Sequence, residues 1–179
     1  IAQVAQLTEH LVAGYNAQVL FVPFGRHPRL VIENDAHMAA QVQSRVRCRP
    51  GLAVLSRPYP PADVKGILGL ARVCVAERLH AVLLAHTAGV PVVSVVYDDK
   101  VEQYAEMAGL SERIPLREFS AARTLAAIDA LVPDLRTGIS REARGSSLGL
   151  RSGQAPAGLA PKRALGKVSS GEGPNEFKR

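Results

Sequence analysis

At 179 residues, 47% hydrophobic and 21% charged, the chain has the length and composition of one globular domain with room for an appendage, and too little for two full domains. No apolar run approaches the ~20 residues of a membrane-spanning helix, and two cysteines outside any C-x-x-C spacing, Cys48 and Cys74, exclude a disulfide scaffold, a four-thiolate zinc site and a redox motif. The net charge of +6 is concentrated in residues 138–179, which hold 8 of the 22 Lys and Arg and 3 of the 16 Asp and Glu; the nearly neutral remainder, in a chain of only four Tyr, four Phe and no Trp, argues against a nucleic-acid partner.

The chain opens within a helical pattern, Val4, Leu7 and Leu11, with Gly14 as its expected stop. Ile1 and the mixed residues after it do not have the form of a signal peptide, and they predict a start inside a longer protein. Val19-Leu20-Phe21-Val22 is the first expected strand, ended by Pro23. A helix follows Asn34 and Asp35, either of which is suited to cap it, with Met38, Ala39, Val42 and Val46 on one face. Leu52-Ala53-Val54-Leu55 is the second strand, and Pro60-Pro61 leads into a helix carrying Val64, Ile67, Leu68 and Ala71.

Val73-Cys74-Val75-Ala76 is the third strand, followed by a helix over residues 80–87 with Gly89 and Pro91 as its stop. The β-branched run Val92-Val93-Ser94-Val95-Val96 is the fourth. A helix over residues 101–108 ends at Gly109, residues 113–116 suggest a short fifth strand, and residues 121–132 a last helix before Pro133. Repeated βα units with near-continuous apolar strands predict an α/β fold: a Rossmann-like parallel sheet with helices on both faces, over residues 1–137. Residues 138–179 hold eight Gly, six Ser and three Pro with few large apolar side chains, too little to offset backbone entropy, and read as a disordered basic tail. Deleting them is therefore expected to leave the thermal transition of the remainder nearly unchanged; a loss of several degrees in a calorimetric melt would contradict that reading.

Ligands of open parallel α/β sheets bind at the carboxyl ends of the strands. Gly25, Arg26 and His27 follow the first strand, Arg57 and Tyr59 the second, Glu77, Arg78, Leu79 and His80 the third, and Tyr97, Asp98, Asp99 and Lys100 the fourth. Each strand end thus supplies a cation or potential cation, which suits a phosphate or carboxylate ligand. Arg78 and His80 stand out, because they fall between a buried strand and an apolar helix, where an uncompensated guanidinium is costly. Two accounts of them stay open: an anion site, or Glu77 pairing with Arg78 and His80 capping the helix. There is no G-x-G-x-x-G after the first strand, no P-loop lysine motif and no H-E-x-x-H. Asp98-Asp99 reads as capping rather than metal-binding, His10, His37 and His86 as surface or packing residues, and neither cysteine as a nucleophile; no metal site is expected.

The series Glu77-Arg78-Leu79-His80-Ala81, then Ala88-Gly89-Val90-Pro91-Val92-Val93, then Tyr97-Asp98-Asp99-Lys100-Val101 resembles the C-terminal part of the polysaccharide pyruvyl transferase family. Val22-Pro23-Phe24 and Asp35 fit the same pattern, and the resemblance spans roughly residues 15–132. It implies the donor-binding half of a two-domain enzyme of GT-B type whose N-terminal domain is missing here. Its implied reaction transfers pyruvate from phosphoenolpyruvate to a sugar hydroxyl of a cell-surface polysaccharide as a ketal, without a cofactor. The implied partners are that donor, a saccharide or lipid-linked saccharide acceptor and the missing domain. The implied location is cytoplasmic, a peripheral place at the inner face of the membrane being one option. Arg78 would grip a planar anion beside the N-terminus of the following helix, and His80 would act as acid or base. Arg26, His27, Arg57, Tyr97 and Lys100 would be further substrate-binding residues. Two rivals remain: a nucleotide-sugar glycosyltransferase or epimerase half of the same fold, and a folded fragment without turnover.

Overall fold

Apolar periodicity over the first fifteen residues produces helix α1 (Ala2–Tyr15), which buries Ala5, Leu7 and Tyr15. The computed structural model describes residues 1–25, 34–47 and 49–137; Arg26, His27, Cys48 and the whole of 138–179 lie outside the described residues. α1 runs through Gly14, contrary to the stop expected there, and ends at Asn16 in the left-handed region at φ 51°, its N–H bonded to the Leu11 carbonyl. Asparagine tolerates that conformation because its short polar side chain can bond locally, so it ends the helix as glycine would.

Strand β1 (Val19–Phe21) pairs in parallel with β2 (Leu52–Val54), Leu20 opposite Ala53. Between them lies α2 (Asp35–Arg45), capped by the Asn34 side chain, which accepts from the Ala36 N–H. α1, α2 and this strand pair share a small core of Ala5, Val42, Val46 and Leu52. Gly51 enters β2 tightly against α1: a Cβ there would collide with the Val12 side chain.

The remaining strands, β3 (Cys74–Ala76), β4 (Val92–Val96) and β5 (Arg113–Pro115), form a second parallel sheet with β4 in the middle. Its helices are α3 (Pro61–Gly69), α4 (Leu79–Thr87), α5 (Asp99–Met107) and α6 (Ala121–Leu131). Alternation along β4 sends Val93 into a core with Leu7 of α1 and Ala127 and Ile128 of α6. Val92 enters the opposite core with Val64 and Leu68 of α3, Val82 and Ala85 of α4, and Val101 of α5. Helices therefore do cover both faces of this sheet, which explains why β4 reads as an unbroken apolar run. Gly89 and Gly109, at φ 73° and 66°, close α4 and α5 as expected.

Two expectations are revised. Among the described residues the five strands do not form one continuous hydrogen-bonded sheet but a pair and a triplet. Most strands are also a residue shorter than their apolar runs. An apolar run marks where a strand passes through the interior; it does not specify which neighbour supplies its hydrogen bonds. No helix among the described residues is long and apolar enough to cross a membrane.

Candidate functional site

The carboxyl end of β3 passes directly into α4, and at this junction the chain places Glu77 and Arg78. Arg78 adopts an extended conformation at the cap position, but its side chain does not cap the helix. It reaches instead to the first residue of α2: Arg78 Nη2 donates to Asp35 Oδ1 at 2.8 Å. The other carboxylate oxygen, Asp35 Oδ2, accepts from the backbone N–H groups of Phe24 at 3.0 Å and Gly25 at 2.6 Å, while the Asp35 N–H donates to the Gly25 carbonyl at 2.9 Å. One carboxylate thus ties together the exit of β1, the start of α2 and the exit of β3.

The placement suits the carboxylate, since the first turn of α2 presents partial positive charge and charge-assisted bonds are the stronger kind. The Asp35 side chain is 15% exposed and that of Arg78 39%, so the guanidinium is anchored at one edge and open to solvent at another. A buried uncompensated guanidinium is avoided, as the sequence required. The compensation comes not from Glu77, the neighbour in sequence, but from a residue 43 positions away.

Glu77 is half-buried beside this pair. Burial pushes its carboxyl above the usual range; the Arg78 charge opposes that shift and the Asp35 charge adds to it. Tyr97, beyond the end of β4, lies within electrostatic reach of both Arg78 and Glu77, and its phenol is raised by partial burial and by Asp98. His80 stands exposed in the first turn of α4. The helices after β1 and β4 are capped by Asn34 and by Asp98, whose side chain accepts from the Val101 N–H at 2.9 Å. Among the described residues no side chain caps α4, which leaves its first-turn N–H groups open beside Arg78.

Arg78, Glu77, Asp35 and Tyr97 therefore share one neighbourhood at the strand ends, and His80 sits on the helix that opens from it. Lys100 is exposed in the first turn of α5, with no bond to that group among the described residues. Arg57 donates from Nε to the Tyr59 hydroxyl at 3.0 Å and stacks 5.0 Å from its ring centre, so its described contacts are local. Arg26 and His27 lie outside the described residues. Asp98 acts as a cap, as its position suggested. Of the scattered histidines, His86 hydrogen-bonds the Tyr104 hydroxyl at 3.1 Å across α4 and α5. Burial raises the Cys74 thiol to about 11, which keeps it a protonated core group at neutral pH.

Asp35 is the residue whose importance sequence reasoning understated. As a carboxylate following a strand and opening a helix it reads as a cap, and nothing local announces a partner on another βα unit. A depression of about 330 Å³ opens elsewhere, among His86, Pro91, Leu110 and Leu131 at the opposite end of β4, and its lining holds no Lys, Arg, Asp or Glu. The strand ends are the better candidate because charge, open helix N–H groups and a raised carboxyl converge there.

A family model described as polysaccharide pyruvyl transferase covers residues 2–99, more than half of the 179. The matched segment contains Asp35, Glu77, Arg78, His80 and Tyr97. Neither the search of curated proteins nor that of solved structures returned a match.

Proposed function

The chain belongs to the polysaccharide pyruvyl transferase family, and from that premise we propose that the strand-end site binds phosphoenolpyruvate and supports transfer of its pyruvyl unit to a sugar as a ketal. The family is one of transferases acting in polysaccharide biosynthesis. The phosphoenolpyruvate donor, and the reading of this chain as the donor-binding half of a two-lobed GT-B-like enzyme, are parts of the proposal. The observation that carries it is the Arg78 guanidinium, held by Asp35 at one edge and open at the other, next to the uncapped start of α4.

Phosphoenolpyruvate carries a carboxylate and a phosphate, and so needs two anion clamps. The open edge of Arg78 matches the planar carboxylate, and the first-turn N–H groups of α4 suit the phosphate. His80, exposed in the first turn of α4, is the proposed proton carrier, and Tyr97 a proposed hydrogen-bond donor. Arg57 and Lys100 are proposed as secondary phosphate contacts, and Arg26 and His27 as further substrate-binding residues. The acceptor saccharide would be held mainly by a second lobe, whose closure would exclude water and orient the hydroxyls.

The test is calorimetric titration of the chain with phosphoenolpyruvate and with a panel of nucleotide sugars, alongside a phosphate-release assay with galactoside and mannosamine-containing acceptors. Binding of phosphoenolpyruvate without phosphate release is the expected outcome for the donor half alone. Preference for a nucleotide sugar would replace the reading with a glycosyltransferase or epimerase half. Binding of neither would indicate a fragment without a donor site, and turnover by the chain alone would overturn its assignment as a half-enzyme.

A further inference from the structure

We propose that Glu77 is a further catalytic residue of this site, a carboxylic acid that is held protonated when an anion occupies Arg78 and that delivers its proton to the donor. The inference rests on the phosphoenolpyruvate reading above and deepens it.

Three observations support it. Glu77 stands at the carboxyl end of β3, half-buried, in the same neighbourhood as Arg78 and Tyr97. No hydrogen bond or ion pair reaches its carboxylate among the described residues, although the neighbouring guanidinium could have provided one; Arg78 is turned to Asp35 instead. A half-buried carboxylate left without donors is poorly solvated, and burial accordingly raises its proton affinity. Among the described residues, the charged and titratable groups that act on it are Arg78 at its own junction, Asp35 from α2 and Tyr97 from the loop after β4, and His80 lies exposed in the first turn of α4. Among the described residues Arg78 is the one group that favours the carboxylate form, and an anion bound to its open edge would offset that influence. Occupation of the site therefore drives a proton onto Glu77.

That proton has a chemical use. Ketal formation requires a new C–H bond at the methylene carbon of phosphoenolpyruvate, and a carboxyl that keeps its proton in the occupied site can supply it as a general acid. The Glu77 O–H bond breaks as the methylene π electrons form the C–H bond, leaving the adjacent carbon electron-poor. An acceptor hydroxyl oxygen attacks that carbon and its proton passes to His80. The C–O bond to phosphate then breaks with its electron pair leaving on phosphate, and the second hydroxyl oxygen attacks. The proton of that second hydroxyl returns to the Glu77 carboxylate, and His80 passes its own to the departing phosphate. Both groups are restored, and two hydroxyl protons account for one new C–H bond and one protonated phosphate.

The experiment needs no turnover. The Glu77 carboxyl carbon is followed by NMR titration of the ¹³C-glutamate-labelled chain, assigned by its loss in Glu77→Gln, with and without sulfate, an anion that does not itself titrate in this range. The expected result is a resonance titrating above the ordinary glutamate value and moving further up with sulfate. Calorimetry of sulfate and phosphoenolpyruvate in buffers of different ionisation enthalpy should show proton uptake exceeding that of Glu77→Gln by up to ~1 proton per ligand; His80→Asn should retain that excess. Because the folded carboxyl is raised, folding favours its protonated form, and this contribution is lost as pH rises through the folded value. Glu77→Gln should therefore melt no lower than the parent at neutral pH, which guards against misfolding as the cause. An ordinary titration unmoved by sulfate, or equal proton uptake in parent and Glu77→Gln, overturns the proposal. A raised titration with neither anion binding overturns the donor-site reading and the catalytic role with it.

Discussion

Replacing Arg78 with alanine is expected to weaken phosphoenolpyruvate binding about 30- to 1000-fold, the equivalent of ~2–4 kcal/mol for a charge-assisted contact removed from a partly desolvated site. The accompanying loss of stability should be much smaller. Asp35 would lose the 2.8 Å bond but keep two backbone donors, at 3.0 and 2.6 Å, so it is not stranded. Arg78 is also 39% exposed, and solvent screening reduces what its ion pair contributes to ~1 kcal/mol. The proposed ligand role and a structural one need not exclude each other, because Arg78 is anchored by Asp35 and still 39% exposed. Melting temperature and ligand affinity measured on the same variant separate the roles. A large stability loss with unchanged affinity would remove Arg78 from the binding site. Arg78→Lys should recover part of the stability and little of the affinity, because an ammonium cannot reproduce the planar fork.

Asp35→Ala should produce the opposite balance, destabilising the chain by ~2–3 kcal/mol, which in a domain of this size lowers the melting temperature by about 5–12 °C. The alanine removes the acceptor for three donors at once. It leaves the Phe24 and Gly25 N–H groups without their partner in a part-buried loop and frees the guanidinium of Arg78 from its one described bond. Affinity for phosphoenolpyruvate should also fall, by ~10-fold, because an unanchored arginine must be ordered by the ligand itself. Combining Asp35→Ala with Arg78→Ala should cost less than the sum of the two changes, since they share a contact. Chemical denaturation of the three variants measures all of this. A stability change below ~0.5 kcal/mol for Asp35→Ala, or strict additivity in the cycle, would show that the carboxylate does not organise the site.

Much of the architecture could be read directly from local pattern. The β-branched run of β4, the glycines that close α4 and α5, and the caps at Asn34 and Asp98 all act within a few residues of themselves. So does the periodicity that buries Val64 and Leu68 of α3 or Ala127 and Ile128 of α6. These effects are short-ranged, and the residue types declare them. The strand-to-helix junction holding Arg78 and His80 was legible for the same reason: a charged pair between two apolar segments is conspicuous. The end of α1 was misplaced because two residues, Gly14 and Asn16, could each close a helix, and the choice depends on how the chain must turn towards β1.

What the sequence determined by itself is the succession of βα units, their burial pattern and the strand end where charge accumulates. Tertiary structure alone decided which charges meet. Asp35 and Arg78 are joined only because β1 and β3 end on the same side of the domain, and no periodicity spans the 43 residues between them. The same long-range choice turned Arg78 towards Asp35 and left the Glu77 carboxylate half-buried without a donor among the described residues, and it kept the described contacts of Arg57 local to Tyr59. Local pattern depends on the energetics of neighbouring residues, whereas an ion pair depends on the relative placement of whole elements, which is known only once the cores between them have packed.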